Sequence, residues 1–596
     1  MQQRMIEQLE SRRLLSAATL VQFAPTPVPH AQSLTTAQVK TILAQAISQS
    51  MNRAGQSTEV AVVVDREGTV LGMLASQGAI SAGIAPQVIA DATVRARTAA
   101  FFESSGEAFT TRTARFIIQN HFPPGILNAA GGPLYGVQFS DLPGSDILSP
   151  SLTPAVSGDP GGIPLYFHGV PVGGIGTAGD FRDLAATSDL VNATQDNHAV
   201  ASLDNHLYNA NPKGHVYNGA EELDRDESLA EAGARGFMAP AAIRATNIFV
   251  GGLRLPFVAE GAAHGRPNLS FQHLIGSGAA TEFTVAGGTF APVAAGTTHI
   301  IAGTPEMMNA TIGGVNGLLR DRANVQMSAT PGVPLTSGGA LIPHTNPQDS
   351  DANPIIGATP DPGGSPTLTA QDVTTIIAQA VDQATITRAG IRKPNGVNAE
   401  VHVVVVDTAG DVLGAFRMND GTNFSYDVAV QKARTAAYFS DDTHAFSTRA
   451  IGFLAQKFFP PGITPAQQGP LYHLQNDVVL PGTTTYNGLA NGITIFPGGV
   501  PLYIGGHLVG AVGVSGDGVD QDDLISFSGA HGFEAPAPIR SDSLSAANAA
   551  SFLNSKVAAM STSGFDLEKE RRLLQEALAH VRLPYVKFPR NPLVNH

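Results

Sequence analysis

The feature that most constrains this chain is that it repeats itself. RARTAAFF from Arg95 returns as KARTAAYF from Lys432, FPPGI at Phe122 recurs at Phe459, and GPLY at Gly132 recurs at Gly469. PGGIPLY from Pro160 returns as PGGVPLY from Pro497. Arg97 and Arg434 stand 337 residues apart, as do Gly176 and Gly513. So constant a register over that length predicts one fold used twice. Beyond it the copies match again, LDRDESLAEAGARGF from Leu223 against VDQDDLISFSGAHGF from Val519, at an offset of 296. The first copy therefore carries about 41 extra residues, assigned to an insertion at 180–222.

Each copy reads as the same series of elements. Thr35 or Thr36 and Thr369 cap an amphipathic helix, with Val39, Ile42, Leu43 and Ile47 on its apolar face and Val373, Ile376, Ile377 and Val381 in the second copy. A β-branched run, VAVVVD or VHVVVVD, turns at Asp-x-x-Gly and returns as VLGML or VLGAF, which is a hairpin. A helix follows over 90–102 or 428–439, then a helical stretch over 114–119 or 450–457 stopped by Pro-Pro. PGGIPLYFHGVPVGGIG and PGGVPLYIGGHLVGAVG close the core as a second hairpin. The expected class is α+β: two domains, each a mostly antiparallel sheet flanked by helices in three α-β-α layers. Expected boundaries are 1–33 as leader and linker, 34–260 as the first domain, 261–366 as a Gly/Thr/Pro-rich linker or β-rich extension, and 367–596 as the second domain with a C-terminal extension.

Composition removes several functions. The net charge of −14, with no basic cluster, argues against nucleic acid. Cys is absent, so thiolate catalysis, Fe–S clusters and disulfides are excluded. No apolar run is long enough to span a bilayer. The amino terminus, IEQLESRRLLSA from Ile6 to Ala17, resembles the LEPR-XLL-type leader of exported planctomycete proteins, which implies a periplasmic, cell-surface or secreted location.

The order of motifs, D-x-x-G, then KARTAA (Lys432 to Ala437), then PGGVPLYIGGHLVGAVGVSG (Pro497 to Gly516), then a D-x-D step, resembles the GlcG/HbpS family. The resemblance covers about 34–178 and 368–523. It implies profilin-like domains, a tendency to oligomerise, and haem or a related tetrapyrrole as small-molecule ligand. The two copies would then pack as an intramolecular pseudo-dimer. Two other readings stand beside passive binding: oxidative haem breakdown or redox chemistry on a small organic acid, and a non-catalytic envelope scaffold.

A planar guanidinium suits a propionate. Arg97 and Arg434, Arg95 and Lys432, and Arg112 and Arg449 recur in register, so all six are candidate ligand-binding cations, the alternative being internal salt bridges. Phe101 and Tyr438 follow directly and are candidates for an apolar slot, the alternative being core. No His is shared by the two matched cores. Candidate iron ligands are His121, His444, Tyr135 and Tyr472. The run Gly174-Ile-Gly176-Thr-Ala-Gly179 matches a dinucleotide fingerprint in letters but follows a hairpin, which argues against that use. The acidic steps at Asp224-x-Asp226-Glu227 and Asp520-x-Asp522-Asp523 read as helix starts rather than calcium loops.

Overall fold

The structure is a computed structural model. It describes residues 21–27, 32–51, 57–117, 157–179, 224–258, 268–286, 289–305, 307–320, 336–337, 340–341, 355–456, 493–559 and 581–587, with positions 122, 132–134, 459–460, 469–471, 572 and 575–579. The insertion at 180–222 lies outside the described residues.

In chain order the strands are β1 (Val21–Pro27), β2 (Val60–Val64), β3 (Val70–Ser76), β4 (Gly162–Phe167), β5 (Val170–Ala178), β6 (Phe249–Val250), β7 (Leu253–Arg254), β8 (Ala280–Ala286) and β9 (Thr289–Pro292). They continue as β10 (Met307–Ile312), β11 (Val315–Leu319), β12 (Thr336–Ser337), β13 (Ala340–Leu341), β14 (His402–Val406), β15 (Val412–Met418), β16 (Gly499–Ile504) and β17 (His507–Ser515). The α-helices are α1 (Thr36–Ser50), α2 (Gln77–Ser81), α3 (Ala85–Phe101), α4 (Thr111–Ile117), α5 (Arg225–Gly233), α6 (Phe271–Gly276), α7 (Ala370–Ala384), α8 (Phe424–Tyr438), α9 (Thr448–Leu454), α10 (Val519–Gly529) and α11 (Ala546–Ala559).

Two antiparallel sheets carry the fold. The first runs β4-β5-β2-β3-β8-β9 and the second β16-β17-β14-β15-β11-β10-β1. Four strands from each copy thus take the same order: Ile163 pairs Ile175 and Val62 pairs Gly176, as Val500 pairs Val512 and Val404 pairs Gly513. Strands from 280–319 extend both sheets, since β8 pairs β3 and β11 pairs β15. Val21–Pro27, inside the span assigned to a leader and linker, adds β1 to the far edge of the second sheet, Val21 opposite Ile312.

The pleat divides each β-branched strand between two layers. Ala61 and Val63 face α1 and α5, whereas Val60, Val62 and Val64 face α3. Val403 and Val405 face α7 and α10, and Val404 and Val406 face α8. Each domain is therefore α-β-α, as the pattern predicts. Thr35 and Thr369 both close capping boxes, with Gln38 and Asp372. The inner helices start earlier than the periodicity predicts: Pro86 stands at the first turn of α3, and Phe424 and Tyr426 add a buried apolar turn to α8.

One apolar cluster includes α3 and α8 together, with Val62, Ala96 and Phe102 from the first half and Val404, Phe424 and Ala433 from the second. The inner helices lie almost on their strands. A Cβ on Gly176 would sit 1.9 Å from Ala92 O, and one on Gly513 2.0 Å from Ala429 O. That is what the glycine run of β5 is for, and no nucleotide loop forms there. Among the described residues no helix is long and apolar enough to cross a membrane.

Candidate functional site

The repeated cations hold repeated joints. Arg95 Nη1 donates to Thr177 O at 2.9 Å and Asp226 Oδ2 at 2.7 Å; its counterpart Lys432 donates from Nζ to Val514 O and Asp522 Oδ2, both at 2.8 Å. Arg112 Nε meets both oxygens of Glu227, at 2.7 and 2.9 Å, and Arg449 Nε meets Asp523 Oδ2 at 2.7 Å while its Nη2 meets Asp520 Oδ1 at 2.8 Å. Arg97 Nε donates to Gly68 O at 3.1 Å and Arg434 Nε to Gly410 O at 2.9 Å, tying each inner helix to the Asp-x-x-Gly turn. Burial lowers the Arg97 guanidinium to about 10, with Asp65 opposing. These side chains are internal fasteners between helix, strand end and the acidic steps, which accounts for Asp226, Glu227, Asp522 and Asp523 as their partners.

Phe101 is fully buried. Tyr438 donates to Lys556 O at 3.3 Å, under the Lys556 ammonium at 4.8 Å. His444 bonds through Nδ1 to Asp441 at 3.0 Å and stacks on Phe552 with ring centroids 4.2 Å apart. His121, Tyr135 and Tyr472 lie outside the described residues. Of the eight ligand-binding candidates, Lys432 alone lines the cavity described next.

That cavity, about 450 Å³, opens at the seam between the halves. Phe102, Phe109 and Leu255 come from the first half, and Phe424, Val428 and Phe496 from the second. Phe102 and Phe424 meet with centroids 4.4 Å apart, tilted by 40°. Its polar lining is acid-rich: Glu107, Asp520 and Asp522 against Lys432, already engaged by Asp522. No His or Tyr lines it among the described residues.

Glu107 was not singled out from sequence, although the register held a signal. The residue at its place in the other copy is His444, and the carbonyls of both accept from a shared tyrosine, Tyr166 at 3.0 Å and Tyr503 at 3.1 Å. One position thus carries different chemistry in the two halves.

Buried charge also staples the seam. Arg392 donates from Nε to Asp517 Oδ2 at 2.8 Å and from Nη1 to Asp420 at 2.5 Å and to Ser104 Oγ, across the seam, at 2.9 Å. Glu67 of the first half receives Arg320 at 2.8 Å and Arg417 at 3.4 Å. Asn423 Nδ2 donates back to Arg66 O at 2.5 Å.

The family model described as "Haem degrading protein HbpS-like" matches residues 368–531. An uncharacterised 15.0 kDa protein in the dhaT-dhaS intergenic region of Citrobacter freundii is 32% identical over 133 residues, which are 22% of this chain and 73% of that protein. The corrinoid adenosyltransferase PduO of Salmonella typhimurium is 27% identical over 155 residues, covering 26% of this chain and only 38% of that enzyme. A crystal structure of a PduOC–haem complex aligns at 24% identity over 29% of this chain and 98% of that one, with a TM-score of 0.21. On the family model and the Citrobacter relative together, this chain belongs to the HbpS-like family.

Proposed function

We propose that the chain is an exported haem- or tetrapyrrole-binding protein, in which a tandem duplication supplies both walls of one ligand site at the seam. The observation that carries this is the apolar cavity shared by Phe102 and Phe109 of one half and Phe424 and Phe496 of the other, in a chain of the HbpS-like family. Concave sites lined by aromatic side chains with few polar groups are the usual form of small-ligand pockets.

The lining fits an apolar ring system. It does not fit propionates, because its carboxylates outnumber its single ammonium and Arg97 and Arg434 are engaged elsewhere. A tetrapyrrole held here leaves its propionates to solvent. His444 is stacked on Phe552 and does not line the cavity, and the other sequence candidates, His121, Tyr135 and Tyr472, lie outside the described residues.

Hemin titration of the full chain, followed at the Soret band, tests this. A saturable band weakened by Phe424→Ala is expected; absence of a saturable band removes the proposal. A second reading, oxidative tetrapyrrole breakdown, is favoured by the description of the matched family. Decay of the band with reductant and oxygen, with release of iron, identifies it; a persistent band identifies passive binding.

A further inference from the structure

We propose that the acidic wall of the seam cavity is a subsite for a protonated amine, or a comparable N–H cation, carried on an apolar body. The inference rests on the seam cavity being the ligand site and goes beyond it in naming the ligand's polar end.

The Glu107 side chain is fully buried and lines the cavity; Ser104 stands near enough to draw the acid downward, yet neither carboxylate oxygen has a hydrogen bond of ordinary geometry among the described residues. The facing cation, Arg392, stands 3.5 Å from Oε1 and directs its donors to Asp517, Asp420 and Ser104 instead. Three carboxyl groups thus share one guanidinium, and Asp517 and Asp420 take backbone donors besides, from Glu400 and Ser105, so Glu107 is the least served of the three. Asp522, on the same cavity wall, is close to this situation: Oδ2 takes Lys432, while Oδ1 is buried with no hydrogen bond of ordinary geometry among the described residues, the Gly516 N–H being its nearest backbone donor. Buried acceptors with unused lone pairs beside an apolar wall are complementary to a donor-rich cation. An ammonium on a phenylalkyl body places its charge against Glu107 and Asp522 and its ring among Phe102, Phe109 and Phe424. An anion of the same shape meets repulsion.

Burial is the main cause holding the Glu107 carboxyl up at about 8, Arg392 pulling down and Asp517 and Asp420 pushing up. The groups facing it are therefore Arg392, Asp420 and Asp517 from the second half, Ser104 from its own loop and Tyr166, whose hydroxyl donates to its carbonyl; elsewhere on the cavity wall stand Asp520 and the Lys432–Asp522 pair, in which burial raises the Asp522 carboxyl to about 6. Near neutrality Glu107 keeps its proton, and an arriving ammonium drives it off. Amine affinity therefore rises from pH 6 to pH 9.

The test is calorimetry on the full chain with three probes of one shape: 4-phenylbutylamine, 4-phenylbutanol and 4-phenylbutyrate. The amine is expected to bind at least about tenfold more tightly than the other two, a margin in the range of hydrogen bonds to charged groups. Its affinity should climb with pH while that of the alcohol stays level. Glu107→Gln should remove the amine's advantage and spare the alcohol; the three-probe comparison on the unaltered chain stands even if that variant does not fold. An amine no tighter than the alcohol, in a protein whose hemin binding still responds to Phe424→Ala, overturns the subsite and leaves the seam as ligand site. Failure of all three probes together with hemin binding indifferent to Phe424→Ala overturns both.

Discussion

Lys432 Nζ reaches Asp522 Oδ2 at 2.8 Å, and its counterpart in the other half, Arg95, closes the same joint on Asp226 at 2.7 Å. In both, the cation leaves the inner helix, passes the carbonyl that ends the hairpin strand, and meets the first turn of the helix on the opposite side of the sheet. The joint crosses the sheet layer in each half. Removing one partner of a buried pair strands the other charge, at a cost of about 3–5 kcal/mol. Asp226→Ala and Asp522→Ala are each expected to lose stability of that order in denaturant titrations. Arg95→Lys should lose far less, since Lys432 already performs the same task with an ammonium.

The Arg392 cluster predicts how the halves unfold. Arg392 is buried between Asp517, Asp420, Ser104 and Glu107, so its donors bind the loop of one half to the turns of the other. Arg392→Met leaves three carboxylates without their cation and should split one calorimetric transition into two. A single transition at an unchanged midpoint would show that the seam does not depend on this residue.

Acid sensitivity is expected to centre on His402. The ring is fully buried, stacks on Tyr426 at 5.7 Å, and has no hydrogen bond on either nitrogen among the described residues. Burial, followed by the charges of Arg320, Arg417 and Arg66, holds its pKa well below the ordinary value. The unfolded chain therefore takes up this proton first, so stability is present above about pH 6.5 and falls as pH drops below it. Val60 occupies the corresponding strand position, opposite Ala178 as His402 is opposite Ser515. His402→Val should flatten thermal midpoints between pH 5 and pH 7.

A turn offers a gain in stability. His168 holds φ at 52° in the β4–β5 hairpin, where the second copy has Gly505 at 60°. A side chain in the left-handed region is strained and glycine relieves it. His168→Gly is expected to stabilise by about 0.5–1 kcal/mol, read as a rise in the denaturant midpoint at unchanged slope.

Much of the architecture was legible because the chain could be compared with itself. Matching KARTAA and PGG[IV]PLY across 337 residues, with the β-branched run at a slightly longer interval, locates two hairpins and an inner helix per half. Strands β8 to β11 were legible only as one of two alternatives, a linker or a β-rich extension: they are short, lie within a Gly/Thr/Pro-rich stretch, and the alternate burial of Met308, Ala310 and Ile312 shows only once β10 is paired. The cations were legible as a repeat, but the choice between ligand and internal salt bridge was not, since a guanidinium gives the same letter whether it faces a ligand or a carboxylate of its own chain. The recurrence of Asp226-Glu227 as Asp522-Asp523, in step with Arg95 and Arg112 and with Lys432 and Arg449, was the available sign that acid and base answer each other. The cavity was illegible because Phe102 and Phe424 are 322 positions apart and meet only when the two inner helices do.

The central claim is that both halves build one ligand site. Soret-monitored hemin titration with measured stoichiometry, on the unaltered chain and on Phe102→Ala and Phe424→Ala, tests it most directly. One hemin per chain and weakened binding in both variants are expected. Two equivalents per chain, or binding indifferent to either ring, would contradict the claim.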